Sequence, residues 1–304
     1  MNLIHPLRLK LNRRCRIASL TVVSLWLVSC ANTTPALPPA ISKERIAEIL
    51  ASPDRRDADR TNDLRRKPAD MLAFIGIRPG MVALDVAAGG GYTTELVARA
   101  TGPTGRVYGQ SAPRNPERAP VKPVAPEGNS HPNLTATPAT IPPEPSTATL
   151  SAPPPRPASA QMLAERAKNP AAGNIVAVEQ KYDHPVPAAV ASNGLDLVTL
   201  MFNYHDLVYQ PVDRTEMNKA IFAALKPGGI YVIADHAGRP GSGISEASSL
   251  HRMEEAYLRR EVEAAGFKLA DEGQFLRNPN DPRDKNTPNP PMPKDEFVLK
   301  FVKP

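Results

Sequence analysis

The chain has 304 residues, 41% of them hydrophobic and 22% charged, with a formal net charge of +6. Five cations (Arg8, Lys10, Arg13, Arg14, Arg16) and no acidic residue fall within the first 30 positions; beyond them 32 basic residues face 31 acidic ones, so charge gives no footprint for nucleic acid. Both cysteines, Cys15 and Cys30, lie in the same N-terminal segment, which excludes a disulfide framework, a cysteine zinc site or a thiol nucleophile in the body.

Taken in chain order, the basic run Arg8–Arg16 leads into Ile17–Ser29, 13 residues without charge. A membrane span needs about 20 apolar residues, so this pattern reads as the two leading regions of an export signal. Leu27-Val28-Ser29-Cys30 resembles the lipobox of bacterial lipoproteins, which implies a lipid on Cys30, membrane tethering and a periplasm-facing place in the cell envelope. An unused signal would leave the chain cytoplasmic, and Arg13-Arg14 matches a twin-arginine signal poorly. Residues 1–30 are therefore expected to be the signal and 31–41 a linker, with residues 42–304 forming one domain.

Ser42 is placed to cap a short helix reaching Leu50. Residues 54–67 are crowded with charge of both signs and suggest no element. Pro68 stands at a first helical position, and Met71, Leu72 and Ile75 form an apolar stripe closed by Gly76. After the turn Arg78-Pro79-Gly80, Met81–Val86 reads as a strand buried on both faces. A helix over Tyr92–Ala100 and a strand over Arg106–Gln110 complete one βαβ unit.

Of the 35 prolines, 14 fall between residues 111 and 160. The segment 111–159 has no apolar periodicity and is expected to be a disordered insertion. Regular structure resumes with a helix over Gln161–Ala167 and strands over Asn174–Glu179 and Leu195–Phe202. A helix over Arg214–Leu225 is ended by Lys226-Pro-Gly-Gly229, followed by a strand over Ile230–Asp235. A long helix over Glu246–Ala265 and closing strands over Phe267–Asp271 and Glu296–Val302 finish the chain. This alternation predicts an α/β fold: a doubly wound, mostly parallel seven-stranded sheet with helices on both faces.

In such a sheet the ligand site lies beyond the carboxyl ends of the strands, where strand order reverses. Four segments end strands there and are expected to converge: Ala87–Gly91, Gly109-Gln110, Asn203–Asp206, and Asp235-His236. Positions without side chains after Val86 let backbone approach a ligand next to a helix start.

Leu84-Asp-Val-Ala-Ala-Gly-Gly-Gly-Tyr92 resembles the first motif of class I S-adenosylmethionine-dependent methyltransferases, a strand with an acidic residue followed by G-x-G-x-G. The motif falls on Ala87, Gly89 and Gly91, so alanine replaces the first glycine. Leu225–Gly229 resembles the turn before the fifth strand of that family, and Leu195–Phe202, with Asp196 near its start, its fourth strand. Arg78–Met81, Gly89–Glu95, Asn203–Asp206, Ala234–His236 and Phe297–Pro304 are similar to a bacterial group of predicted methyltransferases. The resemblance spans residues 54–304 apart from the insertion and implies a Rossmann-like class I methyltransferase fold with S-adenosylmethionine as cofactor. Its implied acceptor is a small molecule or a surface component.

By that resemblance Asp85, Ala87, Gly89, Gly91, Gln110, Asn203 and Tyr204 bind the cofactor, with ordinary packing an equal reading for Tyr204. Gln110 occupies the place where the family carries the carboxylate that accepts the ribose hydroxyls, so the charge-assisted contribution is lost. His205 could remove the acceptor's proton, or be an edge histidine bonded to a loop carbonyl, and Asp206, Asp235 and His236 stand beside it as candidate catalytic residues. The spacing of His205, Asp235 and His236 demands no metal, and none is expected; His251 is expected to be a surface or packing residue. Two further readings stay open: an exported, membrane-tethered binding protein without catalysis, and a nicotinamide-dependent oxidoreductase, whose G-x-G-x-x-G pattern Gly89, Gly91 and Thr94 do not supply.

Overall fold

A computed structural model describes residues 38–113, 158–288 and 290–304. The signal, Cys30 and most of the proline-rich insertion lie outside the described residues. The folded unit starts at Pro38.

Ser42 caps α1 (Lys43–Ala51), its hydroxyl accepting the Arg45 N–H at 3.2 Å, and Ile46 and Ile49 turn inward. The charged segment that suggested no element forms α2 (Asp57–Arg66). Its order explains why: Asp57 and Asp59 occupy the first turn and Arg65 and Arg66 the last, which complements the helix dipole at both ends. Lys67 then adopts the left-handed conformation, and α3 (Pro68–Ile75) begins on Pro68 and ends at Gly76, φ 73°.

Next come β1 (Val82–Val86), α4 (Tyr92–Thr101), β2 (Arg106–Ser111), α5 (Ser159–Ala167) and β3 (Ile175–Glu179). They are followed by β4 (Leu195–Met201), α6 (Tyr204–Val208), α7 (Arg214–Ala224) and β5 (Leu225–His236). The chain ends with α8 (Ala247–Leu250), α9 (Glu255–Ala264), β6 (Lys268–Gly273) and β7 (Glu296–Val302). The seven strands form one sheet in the order β3-β2-β1-β4-β5-β7-β6. The first five run parallel; β7 is antiparallel to both β5 and β6. Strand order reverses between β1 and β4, which are paired from Ala83↔Leu197 to Val86↔Leu200.

The period-two alternation of a strand divides the core. On β4, Leu197 packs with α1, α3, α4 and α5 through Ile49, Leu72, Val97 and Leu163. Val198 and Leu200 face the other layer, with Met217 and Ile221 of α7 and Leu258 and Val262 of α9. Both faces are covered, so β1 and β4 are mostly apolar, interrupted by Asp85 in the first and by Asp196 and Thr199 in the second; each fully buried leucine or valine contributes about 1.5–3 kcal/mol.

Two boundaries differ from expectation. Lys226–Gly229 does not separate a helix from a strand but is the bulged lead-in of β5. Leu225 pairs with Leu195, and register then jumps to Leu197↔Ile230 across Gly228, φ 75°. The single helix expected over 246–265 is two, α8 and α9, interrupted at His251, φ 50°. Arg252 is wholly buried there by Asp281 and the carbonyls of Ala237 and Lys285, while Met253 bridges to Ala237. A buried guanidinium satisfied outside the helix outweighs continuation of the helical ladder.

Candidate functional site

The glycine segment turns away from β1 at the switch point. Ala87, Gly89 and Gly91 have φ of 56°, 55° and 79°. The left-handed conformation costs a non-glycine residue about 1–2 kcal/mol, and at Ala87 two hydrogen bonds hold it in place. Its N–H donates to Gln110 Oε1 at 2.9 Å, and the next amide, Ala88, donates to the Gln110 carbonyl at 2.9 Å. Gln110 Nε2 donates to the Gln180 carbonyl at 2.7 Å, and the residue has no exposed surface. Both ends of the Gln110 amide are thus engaged by the protein, and it shapes the loop.

The three glycines have different tasks. A Cβ on Gly91 would stand 2.7 Å from Arg166 Cδ and 2.9 Å from Leu163, so this buried residue is required by packing as well as by φ. Gly89 and Gly90 are exposed; a Cβ on Gly89 would meet only the Ala87 carbonyl at 3.9 Å, and one on Gly90 nothing within 4 Å. The open backbone is therefore at Gly89-Gly90, and Gly91 belongs to the floor. Asp85, 2% exposed, accepts the hydroxyls of Thr94 (2.6 Å) and Thr199 (2.7 Å). Burial pushes its carboxyl up to about 6 despite these two bonds and the charge of Arg66. It braces β1 against α4 and β4.

Residues from α2 and α5, which sequence reasoning did not select, reach this loop. Arg166 donates to the Gly90 carbonyl at 2.5 Å, forms a two-bond pair with Asp59 at 2.6 and 2.9 Å, and also meets Glu95. Tyr92 donates its hydroxyl to Asp63 at 2.7 Å. The Arg66 guanidinium lies 5.4 Å from the Tyr92 ring centre and 4.6 Å from that of Phe202, linking the glycine side of the rim to the β4 side. The available signal was the acid-first, base-last order of residues 57–66.

On the β4–β5 side, Asp235 is fully buried and accepts three bonds: from His205 N (2.8 Å), His236 N (2.8 Å) and His205 Nδ1 (2.6 Å). His205 Nε2 is 3.2 Å from Asp206, which also accepts the Tyr209 hydroxyl and lies 3.4 Å from His251 Nδ1. Burial opposes charge on His205, but Asp235 and Asp206 outweigh it and push the imidazole up to about 10. The two carboxylates thus favour the protonated form of the ring. His236 Nδ1 pairs at 2.9 Å with Glu296, which Arg65 also holds at 2.6 Å. Burial would raise the Glu296 carboxyl, yet His236, Arg65 and Arg66 keep it below the usual range.

Asn203, half-buried, donates to the Met201 carbonyl at 3.0 Å. Tyr204 does not line the rim: it is wholly buried in the α7–α9 layer, donating to Glu261 at 3.1 Å and accepting from Asn218 at 2.9 Å. His251 is likewise not a bystander. The helix break places it against Asp206, with its ring 5.4 Å from that of His205. The strand ends thus carry an open glycine loop after β1 and, after β4 and β5, the group His205, Asp206 and Asp235 with His251 beside it.

No protein-family model and no curated protein matches the chain. Among solved structures it is similar to a SAM-dependent methyltransferase from Aquifex aeolicus, with 14% identity over 82% of this chain and 100% of that one, TM-score 0.47. A putative sarcosine dimethylglycine methyltransferase from Galdieria sulphuraria is 13% identical over 88% and 93%, TM-score 0.47. Fibrillarin from Aeropyrum pernix, solved with natively bound S-adenosyl-L-methionine, is 16% identical over 74% and 68%, TM-score 0.40. These are likenesses of backbone arrangement.

Proposed function

We propose that this chain is an S-adenosylmethionine-dependent methyltransferase. The observation that carries the reading is the open backbone at Gly89-Gly90, set at the strand-order switch point beside a proton-handling rim. The fit is good on the loop side, where Ala87–Gly91 would hold the methyl donor and Asp85, Gln110 and Arg166 keep that backbone in shape. When bound, the donor supplies an electrophilic methyl group on a sulfonium. Asp206, which like His251 is partly exposed, would take the acceptor's proton, with His205 fixed behind it by Asp235.

We infer further, from Leu27–Cys30 and the uncharged run before it, a lipid-anchored chain facing the periplasm and acting on a small molecule or surface component. Cys30→Ala should then release it from the membrane fraction; equal retention would refute that anchor. The engaged Gln110 amide favours a second reading, a tethered binding protein on the same fold without catalysis. Release of S-adenosylhomocysteine separates the two. The full chain incubated with S-adenosylmethionine and fractionated small-molecule extracts should release it with one fraction, and Asp206→Asn should abolish the release. Binding of the donor with no product from any fraction would support the non-catalytic reading.

A further inference from the structure

The trio His205, Asp206 and His251 has a geometry that proton handling does not require. One ligand atom from each lies within 4.8 Å of the others. Asp206 is 3.2 Å from His205 Nε2 and 3.4 Å from His251 Nδ1. Donor atoms held at about 2.0–2.2 Å by a tetrahedral ion stand roughly 3.3–3.6 Å apart, so two edges of such a tetrahedron are already in place.

A second observation concerns the nitrogen on the far side of the His205 ring. Its Nδ1 is committed to Asp235 at 2.6 Å, and the His205 amide bonds the same carboxylate at 2.8 Å. A carboxylate behind an imidazole fixes the tautomer and aims Nε2 outward, which is the support a metal-binding histidine needs. A third is the left-handed break at His251 after α8, which brings that ring to Asp206 from a different segment of chain. The Asp206 and His251 side chains are 25% and 26% exposed, while that of His205 is 0% exposed.

We propose that His205 Nε2, Asp206 and His251 Nδ1 bind one divalent transition-metal ion, with the remaining coordination position open to water or an acceptor oxygen. Two imidazoles and one carboxylate favour the zinc class over magnesium or calcium, which prefer all-oxygen sets. The ion takes the place of the proton on Nε2, which leaves to solvent, and with the ion bound Asp206 is its ligand instead of a proton acceptor. The inference does not rest on methyl-donor binding, and its test is run without that donor.

The untagged full chain, stripped by chelator, is titrated with Zn2+ by calorimetry and with Co2+ in the visible spectrum. One equivalent should bind with micromolar or tighter Kd, with cobalt bands of a low-coordinate site. Asp206→Asn and His251→Gln should each weaken binding at least about tenfold, no less than loss of a supporting group does. Should either variant fail to melt cooperatively, hyperfine-shifted imidazole N–H resonances of the cobalt-loaded native chain decide, and two are expected. No binding below about 100 μM, affinity unchanged in a folded His251→Gln, or no shifted imidazole resonance would overturn the site.

Discussion

Gln110 Oε1 accepts the backbone N–H of Ala87 at 2.9 Å, and so ties the end of β2 to the one non-glycine residue that enters the loop with positive φ. The same amide reaches Gln180 with its nitrogen, making a three-strand clasp across the carboxyl ends of β1, β2 and β3. Replacing Gln110 by Ala removes two part-buried hydrogen bonds, each worth about 0.5–1.5 kcal/mol. The melting temperature should drop by about 2–4 °C per kcal/mol. An unchanged melting curve would show that the clasp is dispensable.

The glycines separate folding from binding. Gly91→Ala should destabilise by about 1–2 kcal/mol from φ alone, with a further loss from displacing Arg166. Gly90→Val, at an exposed position where a Cβ meets nothing within 4 Å, should melt like the parent chain yet bind S-adenosylmethionine at least about tenfold more weakly. Thermal melts and equilibrium titration of the two variants check both halves.

Asp85 is held at a cost. Its folded-state carboxyl is raised from 3.8 to about 6, so the folded chain binds the proton more tightly than the unfolded one. The penalty is absent below pH 4, grows between pH 4 and 6, and is full above pH 6, where a shift of this size corresponds to about 3 kcal/mol. Asp85→Asn should therefore stabilise the chain by up to that amount at pH 7.5 and lose the advantage near pH 3.8, as denaturant unfolding at the two pH values will show. A variant equally destabilised at both would contradict the burial account.

Tyr204 tests the opposite case, a residue the sequence pattern put at the site and the fold put in the core. Tyr204→Phe removes the hydroxyl between Asn218 and Glu261 and should cost about 1 kcal/mol of stability with donor affinity unchanged. A large loss of affinity in that variant would return Tyr204 to the pocket.

These cases show what was legible beforehand. The strands, the switch point and the glycine loop were readable because Leu84, Val86 and Leu195–Met201 are buried on both faces and carry their pattern in the sequence itself. The antiparallel pairing of β6 and β7 was not, since β7 alternates no differently whichever way its neighbours run. Nor was the burial of Asp59 and Arg166, whose charges find each other across 107 positions. At the rim, His205, Asp206 and Asp235 were readable from the ends of β4 and β5. His251 was not, because its place depends on the burial of Arg252, a tertiary event that no local periodicity announces.

The central claim is that the backbone at Gly89-Gly90 receives a methyl donor, and isothermal titration of S-adenosylmethionine into the purified full chain tests it most directly. The account predicts saturable one-to-one binding that Gly90→Val weakens without lowering the melting temperature. No heat at millimolar donor, or equal affinity in that variant, would contradict it.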